Sequence, residues 1–362
     1  MTQQRIEGLR RELRRQKLPS LLITSPHNVT YLTGFTGEDS FLFVDPTSIV
    51  IWSDARYEEQ LQEECPTTEV MLRKPSEQLM PTVARWLVKN KVSSVHVESA
   101  STSLAQWESL CEIITPIQVH SCSGIVERLR ERKDDQEILA IERAIGIAQK
   151  SFIATTSMMH GDFTEKNVAD SLENNIRQLG GQGSAFKTIV GVGARASLPH
   201  GRPSSRKLQE DHFVLIDWGA KENLYMSDLT RVVITGKPTP KLQKVYQVVL
   251  NAQQAAIRAI RPGVLMSEVD RIARTIIEQA GFGKRFTHSL GHSFGLQIHE
   301  SIRLAGGQDR PLETDMVVTV EPGIYIPGSI GVRIEDDVLV TKDGNRVLSS
   351  LPKEWDEIYQ KS

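Results

Sequence analysis

The sequence predicts an α/β domain over residues 1–125, followed over residues 126–362 by an α+β domain with two similar halves. Three observations carry that reading. A chain of 362 residues exceeds the length at which one hydrophobic core grows comfortably. Its first third alternates short apolar runs with segments of helical period. Beyond residue 130 the order helix, helix, strands occurs twice.

In the first domain, Ile6, Leu9 and Leu13 share one face of a helix over Thr2 to Gln16, and the basic run from Arg10 to Lys17 reads as its solvated face. Strands are predicted at Leu21 to Thr24, Phe41 to Val44, Ser48 to Trp52 and Ser93 to Val97, bounded by Pro, Gly, Asn and Asp. Helices are predicted at Arg56 to Glu64 and Ser76 to Lys89, and the charged stretch Ile125 to Lys133 reads as a bridge.

The second domain opens on Asp134, which with Glu137 makes a capping box ahead of Ile138, Ile141, Ile145 and Ala148. A second helix follows Thr164, carries Val168, Leu172, Ile176 and Leu179 on one face, and stops at Gly180-Gly181. Strands follow at Thr188 to Val192, Phe213 to Ala220 and Tyr225 to Thr235. Helices at Lys241 to Ile260 and after Ser267, then strands at Met316 to Ile326 and Gly331 to Val340, repeat the order. Thr164 and Ser267 stand 103 residues apart, and Asp217 and Glu321 stand 104 apart, which suggests a pseudo-twofold arrangement.

A net charge of -2 provides no field for nucleic acid and no polybasic stretch for a membrane surface. No apolar run approaches the roughly 20 residues of a membrane helix, and the N-terminus lacks the apolar core of a signal peptide, so a cytoplasmic protein is expected. Cys65, Cys111 and Cys122 are widely spaced and suggest neither a disulfide framework nor a zinc site.

The chemistry lies in five polar residues set in strand-like surroundings: Asp217 in VLIDWGA, Asp228 in YMSDLTR, His292 in HSLGHSFG, Glu321 in TVEPGIY and Glu335 in GVRIEDD. An ionised carboxylate buried there without a partner is costly, and a shared cation removes the cost. A hairpin folded at Glu222-Asn223 sets Asp217 opposite Asp228, and one folded about Gly328 sets Glu321 opposite Glu335. The plain alternative for any one of these residues is a place on a solvent-facing strand surface. Two opposed like-charged pairs with an imidazole between them in sequence point instead to a centre for two divalent ions. The oxygen-rich donors suit manganese, with cobalt or zinc as alternatives.

In these motifs the chain resembles the pita-bread metallopeptidases, which include aminopeptidase P, prolidase and methionine aminopeptidase. SPHNVTYLTGFTG (Ser25 to Gly37) and SDARY (Ser53 to Tyr57) resemble the creatinase-type N-terminal domain and narrow the likeness to the Xaa-Pro peptidase branch. The resemblance implies a pita-bread second domain with a curved antiparallel sheet. It implies that Asp217 binds one metal, that Asp228 and Glu335 bridge two, and that His292 and Glu321 bind the second, Glu321 also acting as general base. It implies further that His200 and His299 steady the scissile carbonyl and the tetrahedral intermediate, and that His288 and Arg333 lie at the proline pocket. His27, His96, His120, His160 and His212 carry no such motif.

The implied activity is hydrolysis of the bond between an N-terminal residue and proline, with hydroxide generated at the dinuclear centre. The reading favours an Xaa-Pro aminopeptidase, with a dipeptidase (prolidase) as alternative. A metal-free creatinase-like hydrolase and a non-catalytic binding module stand further off, because both should show a degraded ligand set. Proline-containing peptides are the expected partners, and a homodimer is implied by the resemblance. Two departures stand out: Ser289 and Ser293 replace glycines of the HGxGHGIG segment, and Ile302 stands where relatives often carry proline or alanine. The serines are expected to bear on the backbone near His292.

Overall fold

The computed structural model describes residues 2–359, and the chain divides into two compact units, Met1–Arg130 and Glu131–Ser362. No helix among the described residues is long and apolar enough to cross a membrane.

The first unit is a mixed six-stranded sheet in the order Glu69–Arg73, Ile49–Asp54, Phe41–Val44, Leu21–Ile23, Ser94–Glu98, Gln118–Cys122. Its inner pairs are antiparallel on one side of Leu21–Ile23, and the remaining pairs are parallel. The helix Thr2–Gln16 buries Ile6, Leu9 and Leu13, as the spacing requires. Four elements escaped the sequence reading: the strands Glu69–Arg73 and Gln118–Cys122 and the helices Pro26–Thr33 and Leu104–Ile114. Gln118–Cys122 is an edge strand with polar residues, so it lacks an apolar alternation. Pro26–Thr33 holds β-branched and aromatic residues that favour strand. There, tertiary bonds override propensity: buried Asn28 donates to Glu98 Oε1 (2.6 Å) and Glu127 Oε1 (2.7 Å), and Gly34 at φ 83° ends the helix.

The second unit repeats a pair of helices followed by antiparallel strands. Asp134 caps Asp135–Met158 through bonds from the Gln136 and Glu137 amides, both 3.0 Å. Glu165–Gln178 follows its Thr164 cap and buries Val168, Leu172 and Ile176, whereas Leu179 is an exposed cap residue. The helix expected after Ser267 begins two residues earlier, at Met266, with Leu265 as its cap; the Ser267 hydroxyl donates to Asp309 Oδ1 (2.6 Å) instead of capping. Thr164 and Leu265 each make an isolated antiparallel bridge, to Lys207 and Pro311 respectively, so the repeat extends to the helix entries.

In the first half, Ile189–Val192, Phe213–Trp218 and Leu229–Ile234 form an antiparallel sheet. In the second, Val317–Val320 pairs with Asp336–Thr341, and Gly323–Ile326 with Ile330–Arg333. Apolar side chains of the second helix pair, among them Val245, Val249, Val269 and Ile277, are buried in one core with Leu215, Val318 and Val338, and those of the first pair, among them Ala148, Val168 and Ile176, are buried in another with Val190, Val214 and Ile216.

Candidate metal centre

The two hairpins treat the predicted opposition differently. In the second, Val320 faces Asp336 and Gly323 faces Arg333, and continuing that register across the break sets Glu321 opposite Glu335 as the sequence predicts. In the first, Asp217 faces Thr230, not Asp228. The turn lies one residue later than Glu222-Asn223, because Asn223 (φ 44°) and Leu224 (φ 73°) both adopt the left-handed conformation of a type I′ turn. Leucine is an unexpected occupant of that conformation. Moving the turn by one residue shifts every pairing by two, which preserves the face, so Asp228 becomes a diagonal neighbour of Asp217.

All nine predicted site residues line one cavity of about 730 Å³. His292 Nε2 lies 3.5 Å from Asp228 Oδ2 and 3.4 Å from Glu321 Oε1, too far for good hydrogen bonds. Donor atoms of Asp228, His292 and Glu335 all fall within 4.8 Å of one another. The other ring nitrogen of His292, Nδ1, faces the Ser293 carbonyl at 3.2 Å, which favours a proton there and leaves Nε2 with its lone pair toward the carboxylates. Thr319 Oγ1 accepts the His292 amide (3.0 Å) and donates to Glu321 Oε1 (3.3 Å).

Burial pushes the Asp228 and Glu335 carboxyls well above their ordinary range, and the neighbouring acids add to the effect while Arg333 opposes it. Glu321 is raised to about 7, chiefly by burial, with His292 opposing and Asp228 reinforcing the shift. Asp217 Oδ1 and Glu335 Oε1 are buried oxygens with no hydrogen-bond partner. Unsatisfied, mutually repelling carboxylate oxygens facing an imidazole lone pair are the donor set of a divalent-cation site. The residues therefore fit such ions.

Around this cluster, Arg333 pairs with Asp217, donates through Nη1 to Tyr325 Oη (2.6 Å) and through Nε to Thr230 Oγ1 (3.1 Å). Thr230 in turn donates to Glu335 Oε2 (2.7 Å). Tyr325 Oη lies 2.9 Å from His288 Nε2, and burial with the Arg333 charge lowers His288 to about 4. His299 sits edge-on to His292 at 4.4 Å between ring centres. Although the residue reaches solvent at the rim, desolvation of its ring and the charges of His292 and Arg303 lower it to about 4. His200 is exposed on the cavity wall.

Sequence reasoning missed Thr230, Tyr325 and Asp337. Asp337 is fully buried, accepts the Asp228 amide at Oδ2 (3.3 Å), and its carboxyl is raised by burial and by Asp228. Tyr325 and Asp337 lie within motifs already singled out, EPGIY and RIEDD, four and two residues beyond the ligand candidates. The five unassigned histidines do not line the cavity.

The fold and the donor set define a metallohydrolase of the two-halved α+β type. The chain belongs to metallopeptidase family M24, whose model matches residues 140–342, and residues 5–132 match the creatinase/prolidase N-terminal domain. It is 36% identical over 350 residues to an uncharacterized peptidase of Bacillus subtilis, covering 97% of this chain and 99% of that protein. Among solved structures it resembles an Xaa-Pro dipeptidase from Bacillus anthracis (34% identity, TM-score 0.93, covering 98% and 99% of the two chains). It also resembles the Pyrococcus horikoshii prolidase (31%, TM-score 0.89, 97% and 99%) and an X-Pro aminopeptidase from Thermotoga maritima (32%, TM-score 0.87, 95% and 99%).

Proposed function

We propose that this chain is a dinuclear metal-dependent Xaa-Pro dipeptidase, a prolidase, and not the aminopeptidase that the sequence reading favours. The carrying observation is the convergence of Asp217, Asp228, His292, Glu321 and Glu335 on one cavity, with two of their buried oxygens lacking any partner. The similarity to the Bacillus anthracis dipeptidase and the Pyrococcus horikoshii prolidase supports the dipeptide preference. The similarity to the Thermotoga maritima enzyme keeps the aminopeptidase as the second reading.

In this proposal Asp217 would hold one ion, His292 and Glu321 would hold a second, and Asp228 and Glu335 would contribute to holding both, with manganese favoured over cobalt or zinc by the oxygen-rich donors. Bound divalent ions would supply Lewis-acid polarisation and make a water more acidic. The chain's own groups do the rest. Glu321, at 16% side-chain exposure the most open of the carboxylates facing His292, takes the proton from water and delivers it to the departing proline nitrogen. His299, uncharged at neutral pH, and His200 hold the carbonyl oxygen and the tetrahedral intermediate by hydrogen bonding. His288 and Arg333, fixed to Tyr325, form the wall against which proline rests. The reading includes a cytoplasmic homodimer, and three free cysteines are in keeping with a reducing compartment.

The test is hydrolysis of Ala-Pro against Ala-Pro-Ala and longer peptides after chelation and re-addition of manganese, cobalt or zinc. The expected result is metal-restored cleavage of Ala-Pro that falls with added residues. Faster cleavage of the longer peptides would favour the aminopeptidase, and no cleavage with any metal would overturn the peptidase.

A further inference from the structure

Of the three positions where the histidine segments depart from the pattern the resemblance gives, Ser289, Ser293 and Ile302, the structure brings the last two together. The Ile302 amide donates to Ser293 Oγ (3.1 Å), and the Ser293 amide donates back to the Ile302 carbonyl (3.0 Å). Glycine at 293 would have no hydroxyl to accept the first bond, and proline at 302 no N–H to make it. Neither Ser289 nor Ser293 adopts positive φ, so a side chain at either position introduces no backbone strain. Ser293 and Ile302 are 0% and 1% exposed, so each group is hidden from water and needs the other.

The same serine is the hub of the loop that carries His299. Its carbonyl accepts the Glu300 amide (2.8 Å) and faces His292 Nδ1 (3.2 Å). Glu300 is anchored a second time by Lys133 Nζ (2.9 Å), with the two side chains 1% and 5% exposed. A buried ion pair is a weak source of stability but a stiff geometric constraint. Residues 300–302 are thus tied by four contacts, and His299, directly before them, packs edge-on to His292.

We propose that Ser293 and Ile302 form a paired clamp that positions His299 over the metal centre, Ser293 Oγ being the positioning group. The clamp rests on the peptidase reading for its catalytic consequence, but its hold on the loop can be measured separately. S293A strands the Ile302 N–H, S293T keeps the hydroxyl, and S293G/I302P removes donor and acceptor together.

Hydrogen–deuterium exchange of the 296–304 peptide in the metal-loaded full chain should accelerate at least about tenfold in S293A and return toward wild type in S293T. On Ala-Pro, kcat of S293A should fall roughly tenfold to a hundredfold, from displacement of a catalytic group, with KM changed less than about threefold. S293G/I302P should regain most of that loss, a recovery that independent structural defects would not give. Unchanged exchange in S293A would overturn the clamp. So would accelerated exchange with wild-type kcat, because the loop would then not position His299. If the wild-type chain cleaves no Xaa-Pro peptide, the function fails, while the exchange result still decides whether Ser293 holds the loop.

Discussion

Glu335 and Asp336 are consecutive and equally buried, each 1% exposed, yet the fold surrounds them in opposite ways. Asp336 points into a complete polar shell: Arg231 Nη2 (2.7 Å), Ser349 Oγ (2.7 Å) and Gln253 Nε2 (2.7 Å) donate to it, and Lys353 pairs with it. Burial alone would raise its carboxyl, but Arg231 and Lys353 bring it down to about 2. Glu335 faces the cavity, receives one bond from Thr230, keeps one oxygen unpartnered, and is pushed up by burial and by Asp228. The contrast separates a carboxylate compensated by the chain from one that, in the proposed function, would be compensated by a bound cation. Arg231 links the two, because its Nη1 donates to the Glu335 carbonyl (2.5 Å).

The largest expected effect breaks the functional side alone. Glu335→Gln should lower kcat/KM on Ala-Pro by at least about a thousandfold, since several kcal/mol of charge stabilisation depend on the ions it would share. Thermal melting of the chelated variant should show no loss of stability, because a repelling buried charge has been removed. Substitution on the structural side should do the reverse. Asp336→Asn leaves Arg231 without its buried counter-charge and should destabilise the chain by about 3–5 kcal/mol in denaturant unfolding, with or without metal. Equal behaviour of the two variants would dissolve the comparison.

How much of this contrast was legible depended on turns and partners. The second hairpin was read in register because Pro327-Gly328-Ser329 is unambiguous turn chemistry and Gly328 takes the expected positive φ of 65°. The first was misread by two residues because Leu224 in a left-handed turn leaves no compositional signal. The candidate ligands were still found, since an even shift keeps a residue on its face. The order of Asp217, Asp228, His292, Glu321 and Glu335 carried the site. The roles of Thr230 and Asp337 could not be read, because they arise from pairing between segments about a hundred residues apart, Thr230 with Glu335 and Asp228 with Asp337. Folding about Gly328 singled out Glu335 in the RIEDD run, but nothing in the run showed that Asp336 would turn to Arg231.

A smaller effect sharpens the link between hairpins. Thr230→Val keeps the shape but removes the hydroxyl that joins Arg333 to Glu335, and should weaken divalent-ion affinity about 10–100-fold by calorimetric titration. Unchanged affinity would remove Thr230 from the account.

The smallest effect is a pH dependence in the metal-free chain. The folded state raises Glu321 from 4.5 to about 7, so it binds more protons than the unfolded chain in that window and loses stability as pH rises through it. His288 and His299, lowered from 6.5 to about 4, act in the opposite sense, adding stability between those values until they are neutral in both states. Above pH 6.5 the residual imidazole gain and the Glu321 loss nearly cancel, and the carboxyls of Asp228, Glu335 and Asp337, raised well above their ordinary range, set the slope. The melting temperature of the chelated chain should therefore decline by a few degrees from about pH 6.5 to 8. Saturating divalent ion should abolish that decline, whereas its persistence would place the destabilising charges elsewhere.

The most direct measurement is titration of the chelator-stripped chain with manganese, reading bound equivalents by calorimetry and metal analysis beside Glu335→Gln. The account predicts two equivalents per chain, a rise in melting temperature on binding, and loss of at least one equivalent in the variant. A wild-type chain that takes up no divalent ion, or binds it undiminished without the Glu335 carboxylate, would contradict it.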